Sequence, residues 1–229
     1  MAHVLAADEV LAGLVLRLAN SAVIGHHGPS HTLVQAVSTL GTQRVRAVIL
    51  TASAQVLMRR VGRQELPLRV HALLTGLVSR LLARDLWVNP DQAFLAGLFH
   101  DLGRTVLHLA DPDADLLALD EGPALLAAER EHYGQTHAMV GAALLRQWGV
   151  ERPIPEAVLL HHDGDRVSAT KRLALLVIAA EAVVAALRAG APTPPALPPG
   201  LPLILDRHRW EALVTSAGVA LDAERALFG

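Results

Sequence analysis

Residues 89–104 have the sequence NPDQAFLAGLFHDLGR, the most informative stretch of the chain for fold and chemistry. The Asn-Pro pair at Asn89 predicts a helix start, because Asn caps a first turn and Pro suits the first helical position. The apolar residues that follow recur at helical spacing and lead to His100 and Asp101. Gly103 is expected to end the helix as its C-cap. The stretch therefore predicts an apolar helix that delivers an imidazole and a carboxylate side by side.

The same helical periodicity runs along the rest of the chain. Of the 229 residues, 52% are hydrophobic but only 3% are aromatic, so the core must consist mainly of Leu, Val and Ala. Leu and Ala favour helices, and the β-branched, aromatic-rich runs of a sheet protein are missing. The predicted fold class is therefore all-α, without a sheet of three or more strands.

Start and stop signals divide the chain into predicted helices, with Gly218 as the expected stop of the penultimate one. The predicted helices span Asp8–Asn20, His31–Leu40, Thr42–Val61, Pro67–Asp85, 90–101, Thr105–Leu109, Pro123–His132, Thr136–Trp148, Pro155–His162, Ser168–Arg188 and Asp206–Ala217, and another begins near Asp222. The Pro-rich segment 190–202 predicts a linker or a surface strap. We expect an N-terminal helical lobe over 1–65, a larger helical lobe over 66–190, and the strap with C-terminal helices over 191–229.

Charge and cysteine content exclude several classes of protein. The formal net charge is −2, which argues against a generally basic nucleic-acid binder. No cysteine is present, so a disulfide framework and a thiolate metal site are both excluded. The most apolar run, Leu173–Leu187, is shorter than the roughly 20 residues that span a bilayer, and it contains Glu181. A cytoplasmic protein without a membrane partner is expected.

Only His, Asp and Glu remain as strong metal ligands, and several lie on separate predicted helices. A neighbouring imidazole and carboxylate can bind one divalent cation, and the carboxylate can bridge to a second. A carboxylate in an apolar helix is costly without a partner, so Glu181 needs a metal, an Arg or a His nearby. Each residue also has an ordinary alternative role, as a helix cap, a hydrogen-bonded histidine or a buried ion pair. The candidate metal ligands are His71, His100, Asp101, His137, His161, His162 and Glu181.

Four of these residues resemble the H…HD…D signature of the HD superfamily, whose ligands come from separate helices of a bundle. His71 matches the first His, and His100-Asp101 match the dyad. Glu181 stands where the final Asp is expected, which places its carboxylate one methylene further out. The resemblance implies an HD-type helical bundle around a metal site.

The remaining histidines resemble the additional ligands of the HD-GYP branch of that superfamily. His137 and the pair His161-His162 match these positions. The Gly-Tyr-Pro segment that defines the branch is absent, because His162-Asp163 continues directly into Gly164. The chain therefore does not resemble a true HD-GYP phosphodiesterase.

Four ordered motifs resemble the HDOD family, the HD-related output domains, over residues 8–190. They are LRLANSA at 16–22, QAVSTLG at 35–41, AFLAGLFHDLG at 93–103, and HAMVGA at 137–142 followed by Leu145 and Trp148-Gly149. The resemblance implies a bacterial signal-transduction module that binds a partner or ligand. A signalling protein, a fused regulatory domain and a phosphorylated nucleotide are the expected kinds of partner.

The alternative function is a metal-dependent phosphohydrolase or phosphodiesterase. In it, Asp101 and Arg104 are the candidate catalytic residues, because Arg104 would stabilise the negative charge of a phosphoester. The candidate cofactor is a divalent metal, Fe, Mn, Mg or Zn, and a domain that binds none is the other possibility. A third, minor hypothesis is nucleic-acid binding through the basic helix 42–61.

Overall fold

The computed structural model divides the chain into two compact units, Met1–Arg59 and Arg60–Gly229. The structure describes residues 32, 34–35, 37–38, 66–114, 122–164, 171–197, 201 and 203–228. The predicted helices Asp8–Asn20 and Thr42–Val61 lie outside the described residues, and so does the LRLANSA motif. Positions 34, 35, 37 and 38 are helical, within the predicted helix His31–Leu40.

In its described residues the second unit is helical and contains no strand, so the predicted all-α fold class is confirmed. Short 3-10 turns lie at Ala83–Leu86 and Pro112–Ala114. The α-helices are α1 (Leu66–Leu82), α2 (Pro90–Phe99), α3 (Leu102–Ala110), α4 (Pro123–Tyr133), α5 (His137–Gln147), α6 (Ile154–Leu160), α7 (Arg172–Arg188) and α8 (Arg207–Phe228).

Helix α2 begins as its sequence predicts. The side chain of Asn89 accepts hydrogen bonds from the backbone N–H groups of Asp91 at 2.9 Å and Gln92 at 3.1 Å. Six of its ten residues are buried, so the helix forms the centre of the unit. Its close contact with α1 depends on Gly97, where a Cβ atom would lie 2.6 Å from the carbonyl oxygen of Thr75. This close approach brings the side chains of α1 next to the end of α2.

The prediction that Gly103 ends a helix is wrong. The chain turns at His100 and Asp101, and α3 begins at Leu102 with Gly103 in its first turn. A Cβ atom on Gly103 would collide with the backbone carbonyl of His137 and lie 2.9 Å from the backbone nitrogen of Gly141. Gly103 is therefore needed because α3 and α5 cross with almost no space between their backbones.

The most apolar helix, α7, is a core helix. Nine of its 17 residues are buried, in keeping with its nearly continuous apolar sequence. Among the described residues, no helix is long and apolar enough to cross a membrane.

The prediction of a helix stop at Gly218 is also wrong. Helix α8 runs without interruption from Arg207 to Phe228. Its inward face continues through Trp210, Leu213 and Ala217, which are 1–5% exposed. Among the described residues, no atom outside the helix lies within 4 Å of the position of a Cβ on Gly218, so the glycine faces open space there. A helix tolerates such a glycine at a cost of about 1 kcal/mol.

Candidate metal centre

The predicted ligands come from five helices or the turns beside them. One end of α2, the first turn of α5 and the end of α6 meet here, while α1 and α7 supply one residue each. They are His71 in α1, His100 and Asp101 between α2 and α3, His137 at the start of α5, His161 and His162 directly after α6, and Glu181 in α7.

Two groups of potential ligands share one carboxylate. Within each group, one ligand atom from every member lies within 4.8 Å of those from the others. Asp101 belongs to both, so it stands between two positions where a cation could be held. The groups are Asp101 with His137, His161 and His162, and Asp101 with His71 and His100.

The protein fixes the orientation of two of these imidazole rings through backbone carbonyls. Nδ1 of His100 lies 2.6 Å from the carbonyl oxygen of Gly97, and Nδ1 of His161 lies 2.6 Å from that of Val158. A carbonyl oxygen can only accept, so each Nδ1 must carry the hydrogen and donate it. In the neutral ring, the lone pair is then on Nε2, which faces the other candidate ligands.

His137 is oriented in the same way by a carboxylate. Its Nδ1 lies 2.8 Å from both oxygens of Glu129, and its backbone N–H donates to Oε2 of Glu129 at 2.9 Å. Nδ1 therefore carries a hydrogen here too. Glu129 is absent from the predicted ligand set. It opens the charged run 129–132, a pattern typical of a solvated surface. The sequence feature that could have indicated its burial is the apolar Leu125 four residues earlier, which lies on the same face of α4 and is also buried.

Around Asp101, a carboxylate oxygen and the Nε2 atoms of two histidines face one another. In the neutral rings, all of these atoms can only accept hydrogen bonds. Oδ1 of Asp101 lies 3.2 Å from Nε2 of His137 and 3.7 Å from Nε2 of His161. The two Nε2 atoms are 3.4 Å apart. Lone pairs at these distances repel unless a cation, either a proton or a metal ion, lies among them. The donor set is therefore of the kind that holds a divalent cation.

The second group has a similar arrangement around His100. Its Nε2 lies 3.1 Å from Nε2 of His71, 3.6 Å from Oδ2 of Asp101 and 3.5 Å from Oε1 of Glu181. Glu181 thus reaches the same space as His71 and His100, although its side chain is one methylene longer than the expected Asp. On the other side, Nη1 of Arg104 lies 3.4 Å from Oδ2 of Asp101.

Burial and charge shift the protonation equilibria of this cluster. Burial lowers the pKa of His100 to about 3 and that of His162 to about 2. Burial also opposes charge on His137, but hydrogen bonds to Asp101 and Glu129, together with their charges, outweigh it and raise the pKa of His137 to about 9. Burial alone would raise the pKa of the Asp101 carboxyl, yet the surrounding histidines hold it well below its usual range. Among the shifted histidines of the cluster, His71, His100 and His162 thus have a lowered pKa and His137 has a raised one.

The centre is deeply enclosed. The side chains of His100, Asp101 and His137 are fully buried, and those of His71 and His161 are at most 5% exposed. The more open side of the cluster is formed by His162 and by Glu181, whose side chain is 15% exposed.

Comparison with known proteins identifies similar chains. The family model described as the HDOD domain matches residues 1–164. Over 113 residues the sequence is 33% identical to ribonuclease Y of Pelobacter propionicus, which covers 49% of this chain and 17% of that enzyme. The chain thus spans about a sixth of the length of the curated relatives it matches first.

Two solved structures share the fold. A candidate phosphohydrolase from Shewanella amazonensis superposes with a TM-score of 0.68 at 23% identity, covering 96% of this chain and 76% of that one. A candidate signal transduction protein from Marinobacter aquaeolei superposes with a TM-score of 0.71 at 19% identity, covering 97% of this chain and 53% of that one. At these identities the likeness concerns the fold alone.

Proposed function

This chain belongs to the HDOD domain family, and on that basis we propose that it is a signal-transduction output module built around a divalent-metal site. The single observation that carries the proposal is the set of facing acceptor atoms around Asp101. Two histidines have Nδ1 engaged as a donor, and both direct Nε2 towards the same carboxylate oxygen. Such an arrangement requires a cation, either a proton or a metal ion, and a hydrogen-bond acceptor on Nδ1 is typical of histidines that bind metal through Nε2.

The chemistry of the donor atoms also limits which metals suit the site. His137, His161, His162 and Asp101 would hold one cation, and His71, His100 and Asp101 a second, with Glu181 within reach. Imidazole-rich sites suit Fe, Zn and other transition metals, whereas Mg²⁺ prefers carboxylate, carbonyl and water oxygens. We therefore propose Fe or Zn as the metal, include Mn because it also suits the carboxylates of Asp101 and Glu181, and rank Mg below them.

The burial of the ligands supports a binding role over turnover. Five of the predicted ligands are at most 5% exposed, and a phosphoester has to bring its phosphorus atom next to the metal to be cleaved. A metal in such a place would hold α1, α2, α5 and α6 in a fixed arrangement. The surface of these helices would then be recognised by a signalling protein or by a fused regulatory domain.

A metal-dependent phosphohydrolase is the second candidate, because Asp101 belongs to both ligand groups. A carboxylate shared by two cations is a usual feature of two-metal hydrolases, in which the bound ions polarise a phosphoryl oxygen and lower the pKa of water. Arg104 lies 3.4 Å from Asp101 and would place a positive charge beside a phosphate. In this function Asp101 would act as a ligand, and Arg104 would stabilise the charge of the phosphoester.

Metal analysis of protein purified without chelator tests the proposal. We expect Fe, Mn or Zn in the wild-type protein, loss of most of it in Asp101→Asn, and no loss in His208→Ala, which removes an exposed histidine of α8. Protein that takes up none of these ions, even after dialysis against them, would refute the metal-site proposal. Turnover of bis(4-nitrophenyl) phosphate with Mn²⁺ or Fe²⁺ that disappears in Asp101→Asn would favour the phosphohydrolase over the output module.

A further inference from the structure

We propose that Glu129 is the positioning residue of His137 and that it couples helix α4 to metal occupancy of the centre. This inference rests on the proposed metal site and goes beyond it, because it assigns a role to a residue outside the ligand set. It also identifies the element through which the metal state would reach the surface of the domain.

The contacts of Glu129 are directed at one residue. Both carboxylate oxygens lie 2.8 Å from Nδ1 of His137, and Oε2 also accepts from the backbone N–H of His137 at 2.9 Å. Glu129 is only 1% exposed, so this ion is held out of water by the imidazole and the first turn of α5. A carboxylate on Nδ1 fixes the tautomer and the ring plane, and it makes Nε2 a more basic ligand.

Helix α4 is anchored by few buried side chains, and Glu129 is one of them. Of its eleven residues, only Leu125 and Glu129 are buried. The helix begins at Pro123 and ends at Gly134, whose left-handed conformation turns the chain towards α5. An amphipathic helix normally buries a broad apolar stripe, but here one apolar side chain and one carboxylate are buried and the other apolar residues are at most half-buried. The His137–Glu129 pair is therefore a main contact of α4, beside the hydrogen bond between His132 and Asp111.

This arrangement implies coupling in both directions. A metal ion held by Nε2 would fix the His137 ring in place, and that ring donates its Nδ1–H to Glu129. The carboxylate then holds α4 more firmly. By linkage, any partner that displaces α4 lowers the metal affinity by the same factor by which the metal lowers the affinity of that partner.

The test uses the full chain, with Mn²⁺ as the probe. Binding is measured by calorimetry for the wild-type protein, Glu129→Gln and Glu131→Gln, and amide hydrogen exchange in α4 is measured with and without Mn²⁺. Glu129→Gln keeps the shape of the side chain but removes its charge. Glu131→Gln removes the same charge from an exposed position of the same helix and serves as the matched control.

We expect Glu129→Gln to weaken Mn²⁺ binding about 10–100-fold, the usual effect of losing such a partner of a ligand, and Glu131→Gln to leave it unchanged. Mn²⁺ should slow exchange in α4 of the wild-type protein and much less in Glu129→Gln at saturating Mn²⁺. A purely structural contact would not make the protection of α4 depend on metal.

The outcomes separate this inference from the metal site itself. Wild-type protein that binds Mn²⁺, together with a Glu129→Gln variant of equal affinity, would overturn the positioning role alone. Wild-type protein that binds Mn²⁺ without any change of amide exchange in α4 would overturn the coupling. This measurement uses only the wild-type protein, so it does not depend on the folding of a variant. Wild-type protein that binds no divalent metal would overturn the proposed function together with the inference.

Discussion

Nε2 of His137 lies 3.2 Å from Oδ1 of Asp101, a contact that joins the first turn of α5 to the turn between α2 and α3. The same crossing brings Gly103 against the backbone of α5. The same crossing of helices therefore packs the bundle and places His137 beside Asp101. Loss of the site should be visible in the stability of the fold, and loss of the packing should be visible at the site.

Removal of divalent metal should lower the stability of the domain. A ligand that binds only the folded state stabilises it by about 2.7 kcal/mol at one hundred times its dissociation constant. We expect Mn²⁺ added to chelator-treated protein to raise the Tm measured by scanning calorimetry. Asp101→Asn should abolish the rise, because Asp101 belongs to both ligand groups. Equal Tm values with and without Mn²⁺ in the wild-type protein would contradict the metal site.

Features with a local cause could be predicted from the sequence. Asn89 caps α2, and the helix predicted over Thr136–Trp148 is found as α5, with Thr136 as its N-cap. The family, inferred from short motifs, is confirmed by the HDOD model match. The metal roles of the predicted ligands stay predictions, although the structure brings those side chains together.

Features that depend on neighbours distant in the sequence could not be predicted. Gly103 has the sequence context of a helix stop, and only the crossing with α5 gives it another reason. Gly218 also resembles a stop, but α8 continues past it to Phe228. Glu129 lies in a charged run, and its burial depends on His137 from the next helix. At Gly103 and Glu129 a tertiary contact overrides the local signal.

Alanine substitutions at Gly103 and Gly218 should have opposite effects on the stability of the fold. Gly103→Ala forces a methyl group against the carbonyl of His137 and should destabilise the fold by about 1–3 kcal/mol or more. Gly218→Ala fills open space in a helix and should stabilise it by about 0.5–1 kcal/mol. Urea unfolding followed by circular dichroism measures both. A neutral Gly103→Ala variant would show that α3 and α5 are not in backbone contact.

Glu181 should contribute to metal affinity through its charge. Its Oε1 lies 3.5 Å from Nε2 of His100, so Glu181→Gln removes a negative charge from the edge of the second ligand group. We expect Mn²⁺ binding to weaken roughly tenfold or more, since charges separated by a few ångströms interact strongly in a partly buried site. Calorimetry against Glu211→Gln, which removes an exposed carboxylate of α8, provides the comparison. Equal affinities in the two variants would exclude Glu181 from the site.

Arg104→Met should destabilise the metal-free domain yet strengthen metal binding. Nη1 of Arg104 lies 3.4 Å from Oδ2 of Asp101, and both side chains are buried. Loss of one partner of a buried ion pair typically costs about 3–5 kcal/mol, and we expect a smaller loss here because Asp101 also contacts His137, whose pKa is raised to about 9. A divalent cation at Asp101 supplies the missing positive charge, so the variant should bind Mn²⁺ more tightly and recover much of its lost stability once loaded. Calorimetric unfolding with and without Mn²⁺ measures both effects, with the exposed Arg130→Met as the control. An equal loss of stability in the metal-free and metal-loaded forms would show that Arg104 and the metal do not share Asp101.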